Sequence, residues 1–177
     1  AEPVAETVAE PRKDDFLQYP RKWLMECITE SRSAGVKMNL EPLKYVYEEC
    51  MELLTNDESG AHNTTPSLLV DDVVDVLWVS TQAMSNDGFE IAQRDIMELI
   101  NNGTNRQFPK IVWIKHIRKA MREVMQNCNS EKDTMLYQIA FYVTQLAVTS
   151  NIDLRGAFLA LIEENFFCIN GNIEDQI

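Results

Sequence analysis

Residues 47–54 read YEECMELL and residues 71–78 read DDVVDVLW, two stretches in which spaced acids lie inside an apolar helical pattern. Side chains three or four residues apart share one face of a helix, with Cβ atoms about 5–6 Å apart. Two such helices packed against each other would bring four carboxylates together. We therefore expect the rest of the chain to form a helical scaffold around this acidic pair of helices.

Helical periodicity continues outward from both stretches. In the sequence, proline and N-cap residues indicate where helices begin, and Gly and Asn residues indicate where they end. Thr65 is predicted to cap a helix that has Pro66 at its first position, and the segment over 132–149 is apolar enough to predict a central position. The predicted helices cover about residues 20–33, 39–55, 65–84, 90–100, 109–127 and 132–149, with a last one after Asp153, a loop at 56–64 and a turn at 85–88.

Composition narrows the class of protein. The 177 residues suit one domain, and a formal net charge of -12 argues against a partner such as nucleic acid, whose binders usually have a basic face. No apolar run is long enough for a membrane span and no signal peptide is visible, so we expect a soluble chain with no membrane partner. The four cysteines are scattered without C-x-x-C spacing, which favours reduced core thiols and a cytoplasmic location.

A weak internal repeat relates the two halves of the chain. Residues 76–84 and 140–148 share an order of apolar, aromatic, valine and hydroxyl residues, and a turn and a short helix follow each. A degenerate duplication explains this order, although two amphipathic helix pairs could also resemble each other by chance. The aligned positions are Asp72 with Leu136, Asp75 with Ile139, Glu49 with Glu123, and Glu52 with Gln126. The second half has therefore lost most of the acids.

The spaced acids are Glu48, Glu49 and Glu52, then Asp72 and Asp75. This pattern resembles the signature of the MazG-like all-α nucleoside triphosphate pyrophosphohydrolases, relatives of the dimeric dUTPases and of phosphoribosyl-ATP pyrophosphohydrolase. Their signature is E-E-x-x-E, a spacer and then E-x-x-D, so Asp72 stands where the family usually has Glu and is one methylene shorter. The resemblance covers about residues 40 to 106.

The resemblance implies an all-α fold of the four-helix-bundle type, with the second repeat supplying what a second subunit supplies in simpler relatives. The chain would then divide into a disordered arm (1–14), a catalytic helical repeat (15–108) and a degenerate second repeat that completes the same domain (109–177). Family members commonly pair, so the resemblance also implies a homodimer or a higher homo-oligomer.

Physical chemistry leads from the acids to a metal ion. Four ionised carboxylates between packed helices would repel one another unless cations or basic side chains compensate. Mg²⁺ is the natural candidate because it is a hard cation that prefers oxygen ligands, and Mn²⁺ is a second possibility. We assign Glu49, Glu52, Asp72 and Asp75 as metal ligands. Glu48 and Glu49 are the predicted catalytic residues, Glu48 as a neighbouring ligand or a base that orients water.

The family also implies the reaction and its substrate. Hydrolysis between the α and β phosphates of an NTP or dNTP would yield the monophosphate and pyrophosphate, with metal ions activating the attacking water. Asn102 resembles the family's asparagine late in the helix after the turn. Trp78 is a candidate to stack on the base, with packing in the core as the alternative. Candidate phosphate contacts are Lys44, Arg94, Arg106 and Lys110.

Other chemistries lack a signal in this sequence. His62 falls in a predicted loop and His116 in a helix, without an H-x-x-x-H pattern or a His/Cys cluster, so neither zinc binding nor histidine catalysis is expected. No glycine-rich phosphate loop is present. Two further hypotheses remain: a catalytically inactive nucleotide-binding or regulatory protein of the same fold, and a helical adaptor that recruits partners through acidic faces.

Overall fold

The protein, described by a computed structural model, is all-α. The structure describes residues 16–18, 21–22, 26, 29, 33–35, 42–102, 108–126 and 132–161, and no strand occurs in these ranges. The helices are α1 (Pro42–Glu58), α2 (Ala61–Thr64), α3 (Pro66–Gln82), α4 (Asn86–Asn102), α5 (Lys110–Gln126) and α6 (Lys132–Thr149), and residues 154–161 form α7. The predicted all-α class is therefore confirmed.

Helix α6 lies at the centre of the fold, where it packs on α3, α4 and α5. Its fully buried side chains include Leu136, Ile139 and Val143. The central position predicted from its apolar composition is confirmed. None of the helices in the described part of the chain is long and apolar enough to cross a membrane.

The helices pair in the same way in both halves of the chain. Helix α1 packs on α3, α5 packs on α6, and the two pairs meet through contacts of α3 with α6 and of α1 with α5. In α1 the buried residues Val46, Cys50, Leu53 and Leu54 follow helical spacing and face this common core. The paired arrangement is what a duplication would produce, and the duplication itself stays a prediction.

The segment 56–64 is not the loop that its polar composition predicted. Helix α1 continues to Glu58, three residues beyond the predicted end at Thr55, and α2 follows. Gly60 has a left-handed backbone (φ 78°), and its carbonyl oxygen accepts the N–H of Asn63 at 3.0 Å, which starts the new turn of helix. Gly60 thus allows a turn between α1 and α2, and the residues on both sides of it are helical.

Two further helix starts can be compared with the predictions. Thr65 precedes Pro66 as predicted, but its side chain makes no capping hydrogen bond. Asp153 does cap α7, because its Oδ1 accepts the N–H of Gly156 at 3.0 Å. The predicted arm and the end of the last helix lie outside the described residues.

The free thiol of Cys50 is buried in the core, as predicted for a reduced cysteine, and burial raises its pKa to about 12. The other three cysteines lie outside the described residues.

The turn predicted at 85–88 belongs mostly to α4, which begins at Asn86 instead of Glu90. A contact from a distant element explains the earlier start: Asp133 of α6 accepts the backbone N–H of Ser85 at 3.0 Å and also its hydroxyl. The Ser85 Oγ in turn accepts the N–H of Gly88 at 3.3 Å. These bonds to Ser85 lower the pKa of Asp133 and cap α4 from outside the segment.

Gly88→Ala is expected to destabilise the protein by about 1 kcal/mol, although alanine is the better helix former. A Cβ at this position would lie 2.8 Å from Oδ2 and 2.9 Å from Cγ of Asp133, whose carboxyl group cannot shift without loosening Ser85. Urea unfolding of the single and double variants measures the effect. In an Asp133→Ala background the cost of Gly88→Ala should become smaller, and an equal cost there would contradict the proposed clash.

Candidate acidic site between α1 and α3

The packing of α1 on α3 brings together the four carboxylates predicted from the sequence. Glu49 and Glu52 come from α1 and share a side-chain hydrogen bond, while Asp72 and Asp75 come from α3. The charges of both aspartates act on Glu49, and Glu52 acts on Asp75. We refer to these four residues as the acidic cluster.

Proton affinity in the acidic cluster is unusually high. Burial raises the pKa of Glu49 from 4.5 to about 7, and the charges of Asp75 and Glu52 and the hydrogen bond with Glu52 add to it. Burial likewise raises the pKa of Asp75 from 3.8 to about 6, with Glu52 as the largest charge acting on it. A hydrogen bond between two carboxyl groups needs a shared proton, so the cluster retains protons close to neutral pH. A bound cation would relieve the same repulsion.

Asp72 lies deepest in the acidic cluster and is held by two polar side chains. His62 Nε2 is 2.6 Å from Asp72 Oδ2, and Asn56 Nδ2 donates a hydrogen bond of 2.9 Å to the same oxygen. The side chains of His62 and Asp72 are only 7% and 2% exposed. No sequence pattern predicted a role for His62, because its burial depends on the turn at Gly60 and on the short helix α2. This contact corrects the placement of His62 in a solvated loop.

The matching positions in the second half of the chain are core positions. Leu136 and Ile139, which align with Asp72 and Asp75, are fully buried in α6. Asp72 is buried to a similar degree, whereas Asp75 is half-buried. Acids therefore occupy α3 sites that the equivalent helix fills with apolar side chains. Burial of carboxylates costs stability, so the fold alone gives no reason for them.

The acidic cluster has suitable donors for a hard cation, but not a preformed cage. Among the described residues, no three His, Cys, Asp or Glu side chains form a group that could hold a metal ion. Mg²⁺ is usually bound through one or two carboxylates, with water and substrate phosphates completing an octahedron. One or two carboxylates of the acidic cluster would suffice for that mode of binding, in which the substrate helps to complete the site.

Glu48 lies apart from the acidic cluster, on the exposed side of α1. Its Oε1 is 3.9 Å from Lys44 Nζ, and both side chains are more than half exposed. No hydrogen bond or ion pair in the described ranges joins either residue to the four acids. Trp78 is half-buried, and its indole stacks on Phe158 of α7 with the ring centroids 6.3 Å apart. That stacking favours the packing alternative for Trp78.

The remaining predicted substrate contacts lie on other elements. Arg94 is exposed on α4 and its Nε donates to Asp95 at 3.0 Å. Asn102 ends α4 and Lys110 begins α5, both exposed, and Arg106 lies outside the described residues. Because α4 packs chiefly on α6, the described structure does not bring these side chains to the acidic cluster.

A groove of about 370 Å³ between α1 and α5 is a feature that the sequence did not predict. Tyr47 and Met51 of α1 line it together with Arg118 and Arg122 of α5. No residue of the acidic cluster lines it, because Tyr47 and Met51 lie on another face of α1. The groove therefore does not belong to the acidic site.

Comparisons with models of protein families, with curated proteins and with solved structures found no match to this chain. The resemblance to the MazG-like group accordingly stays a prediction from the spacing of the acids.

Proposed function

We propose that the protein is a Mg²⁺-dependent nucleoside triphosphate pyrophosphohydrolase that acts on cytoplasmic NTP or dNTP. The proposal depends on one observation above all: four carboxylates from α1 and α3 meet at positions that the equivalent pair, α5 and α6, fills with apolar residues on the α6 side. A carboxylate as buried as Asp72 opposes folding unless it is compensated. The spacing of the acids resembles the family's E-x-x-E and E-x-x-D pairs, with Asp72 in place of the second pair's Glu.

The chemistry of the acidic cluster suits the reaction. Glu49, Glu52, Asp72 and Asp75 would hold the Mg²⁺, with Mn²⁺ as a substitute. When bound, the cation supplies charge for the phosphates and lowers the pKa of its water. In the cation-free protein the pKa of Glu49 is about 7, near the pH at which a general base works best, so Glu49 would act as the base where the other carboxylates hold the cation.

Substrate binding in this proposal uses residues outside the acidic cluster. Lys44 stands one turn before Glu48 on α1, is exposed, and is the predicted phosphate contact nearest in sequence to the acidic cluster. Arg94, Arg106, Asn102 and Lys110 would have to approach from α4 and the segment that follows it, or from a second copy of the chain. The proposal therefore includes a homodimer or higher homo-oligomer.

The contacts of Asp72 favour a second candidate, an inactive protein of the same fold that binds nucleotides. One oxygen of Asp72 is already engaged by His62 and Asn56, which reduces what it can offer to a cation. A protein of this kind would bind nucleoside triphosphates without releasing pyrophosphate.

A panel of NTP and dNTP incubated with and without Mg²⁺ tests the proposed function through release of pyrophosphate. We expect release from at least one triphosphate, dependent on Mg²⁺ and abolished by a chelator. Binding of a nucleotide without release would favour the inactive candidate. If no triphosphate in the panel binds and none releases pyrophosphate, both the enzyme proposal and the inactive candidate are wrong.

A further inference from the structure

We infer that His62 is a positioning residue that holds Asp72 in the geometry needed to bind a divalent cation. The inference rests on the proposed function and adds a residue to it from outside the acidic stretches. Three elements meet at this point: Asn56 from the last turn of α1, His62 from α2 and Asp72 from α3. Two polar side chains of the α1–α2 segment thus converge on one buried carboxylate.

The two contacts leave Asp72 with one oxygen for a ligand. Both hydrogen bonds go to Oδ2, from His62 Nε2 at 2.6 Å and from Asn56 Nδ2 at 2.9 Å, and Oδ1 accepts none from the described residues. Anchoring one oxygen fixes the plane of the carboxylate and therefore the direction of the other. Supporting side chains that orient metal ligands in this way are a general feature of metal sites.

Packing alone does not explain why a histidine occupies position 62, as its second ring nitrogen, Nδ1, shows. When Nε2–H donates to the carboxylate, Nδ1 is left as an acceptor, and it is buried without a hydrogen-bond partner in the described part of the chain. A buried, unpaired polar atom costs stability. An apolar side chain of similar size would avoid that cost, so the contact with Asp72 is the feature of His62 that compensates for it.

The local backbone supports the same interpretation. Gly60, with φ 78°, lets the chain turn directly after α1, and the short helix α2 then places His62 over α3 ten residues before Asp72 in sequence. Helix α2 buries none of its residues fully and contacts only α1 and α3 to an appreciable extent. The bond from His62 to Asp72 is a side-chain contact that joins α2 to α3.

The test compares His62→Leu with His62→Gln in the full chain. Leucine keeps the bulk without a donor, whereas the amide Nε2 of glutamine lies about as far from the backbone as Nε2 of histidine and restores the bond. The probe is Mn²⁺ alone, titrated calorimetrically, with pyrophosphate release assayed in parallel. We expect His62→Leu to weaken Mn²⁺ binding by about 10- to 100-fold and His62→Gln to recover most of that loss, because its amide restores the donor. His116→Leu, an exposed histidine on α5, is the matched control and should leave binding unchanged.

Each outcome decides the inference. If the wild type binds Mn²⁺ and His62→Leu binds it equally well, the positioning role is wrong while the proposed function stands. If the wild type does not bind Mn²⁺, the positioning role is wrong, and if it also releases no pyrophosphate, the proposed function fails with it. Failure of glutamine to restore binding would also overturn the role of the Nε2 donor.

A measurement on the wild type covers the case in which His62→Leu does not fold. Long-range ¹H–¹⁵N spectra should show His62 protonated at Nε2 and bonded to a carboxylate. Protonation at Nδ1 alone would overturn the inference.

Discussion

Glu49→Gln should reduce pyrophosphate release by about 10²- to 10⁴-fold, the usual contribution of an acid–base group, and should at the same time stabilise the cation-free protein. Glutamine is nearly the same size but can neither take up a proton nor bind a cation as a carboxylate does. At pH 8 the wild-type carboxylate is ionised next to Asp75 and Glu52, and the substitution removes that repulsion. The gain in the free energy of unfolding should be about 1 kcal/mol after allowance for solvent screening of this half-exposed group.

Steady-state kinetics and urea unfolding at pH 8 in a chelator would measure the two effects. Glu98→Gln makes a suitable control, because Glu98 is exposed on α4 and lies outside the acidic cluster, so neither quantity should change. A loss of activity accompanied by a loss of stability would indicate that Glu49 supports the fold. An unchanged rate would remove Glu49 from the catalytic assignment.

Without divalent cations, the free energy of unfolding is expected to fall as the pH rises from about 4 to about 7. Glu49 and Asp75 have pKa values of about 7 and about 6 in the folded protein, above their ordinary values of 4.5 and 3.8. Between these limits the folded protein keeps protons that the unfolded chain has released, so each increase in pH favours unfolding. The combined loss should be about 1–2 kcal/mol, because both carboxylates are partly exposed and screened.

Two other carboxyl groups act in the opposite direction and at lower pH. Hydrogen bonds from Tyr137 and Ser85 lower the pKa values of Asp95 and Asp133, respectively, below 3.8. Their contributions are present above that value and are lost as the pH falls, so they do not mask the slope caused by the acidic cluster.

Denaturant unfolding at half-unit steps of pH, with chelator and with Mg²⁺, would check the pH dependence. Mg²⁺ should remove most of the loss above pH 6, and the double variant Glu49→Gln/Asp75→Asn should show no such loss in chelator. A wild-type slope that matches the double variant would mean that the four carboxylates are too far apart to interact.

Much of this fold was predictable because local rules determine it. The apolar spacing of α1 and α3 and the continuous apolar character of α6 predicted the helices and the central place of α6. One of the errors falls where a distant residue changes a local preference. Turn-forming residues at 85–88 predicted a turn, but the helix begins at Asn86 because Asp133, 48 residues from Ser85, caps it. The local sequence does not show that Asp133 lies there.

The acidic cluster was predictable in membership but not in environment. Helical spacing alone put Glu49 and Glu52 on one face and Asp72 and Asp75 on another, and the packing of α1 on α3 brought the faces together. The exposed positions of Arg94, Asn102 and Lys110 show the limit of the motif, because the motif records order along the chain and not distance across the fold.

The sequence by itself determined that the chain is helical, that Glu49 and Glu52 share one helix face, and that Asp72 and Asp75 share another, because these features follow from the periodicity of a helix. Only the tertiary structure decided how each acid is held. Burial and neighbouring charges raise the pKa of Glu49, and the turn at Gly60 brings His62 onto Asp72. Proton affinity and ligand orientation depend on distances between separate helices, and those distances are set when α1, α2 and α3 pack together.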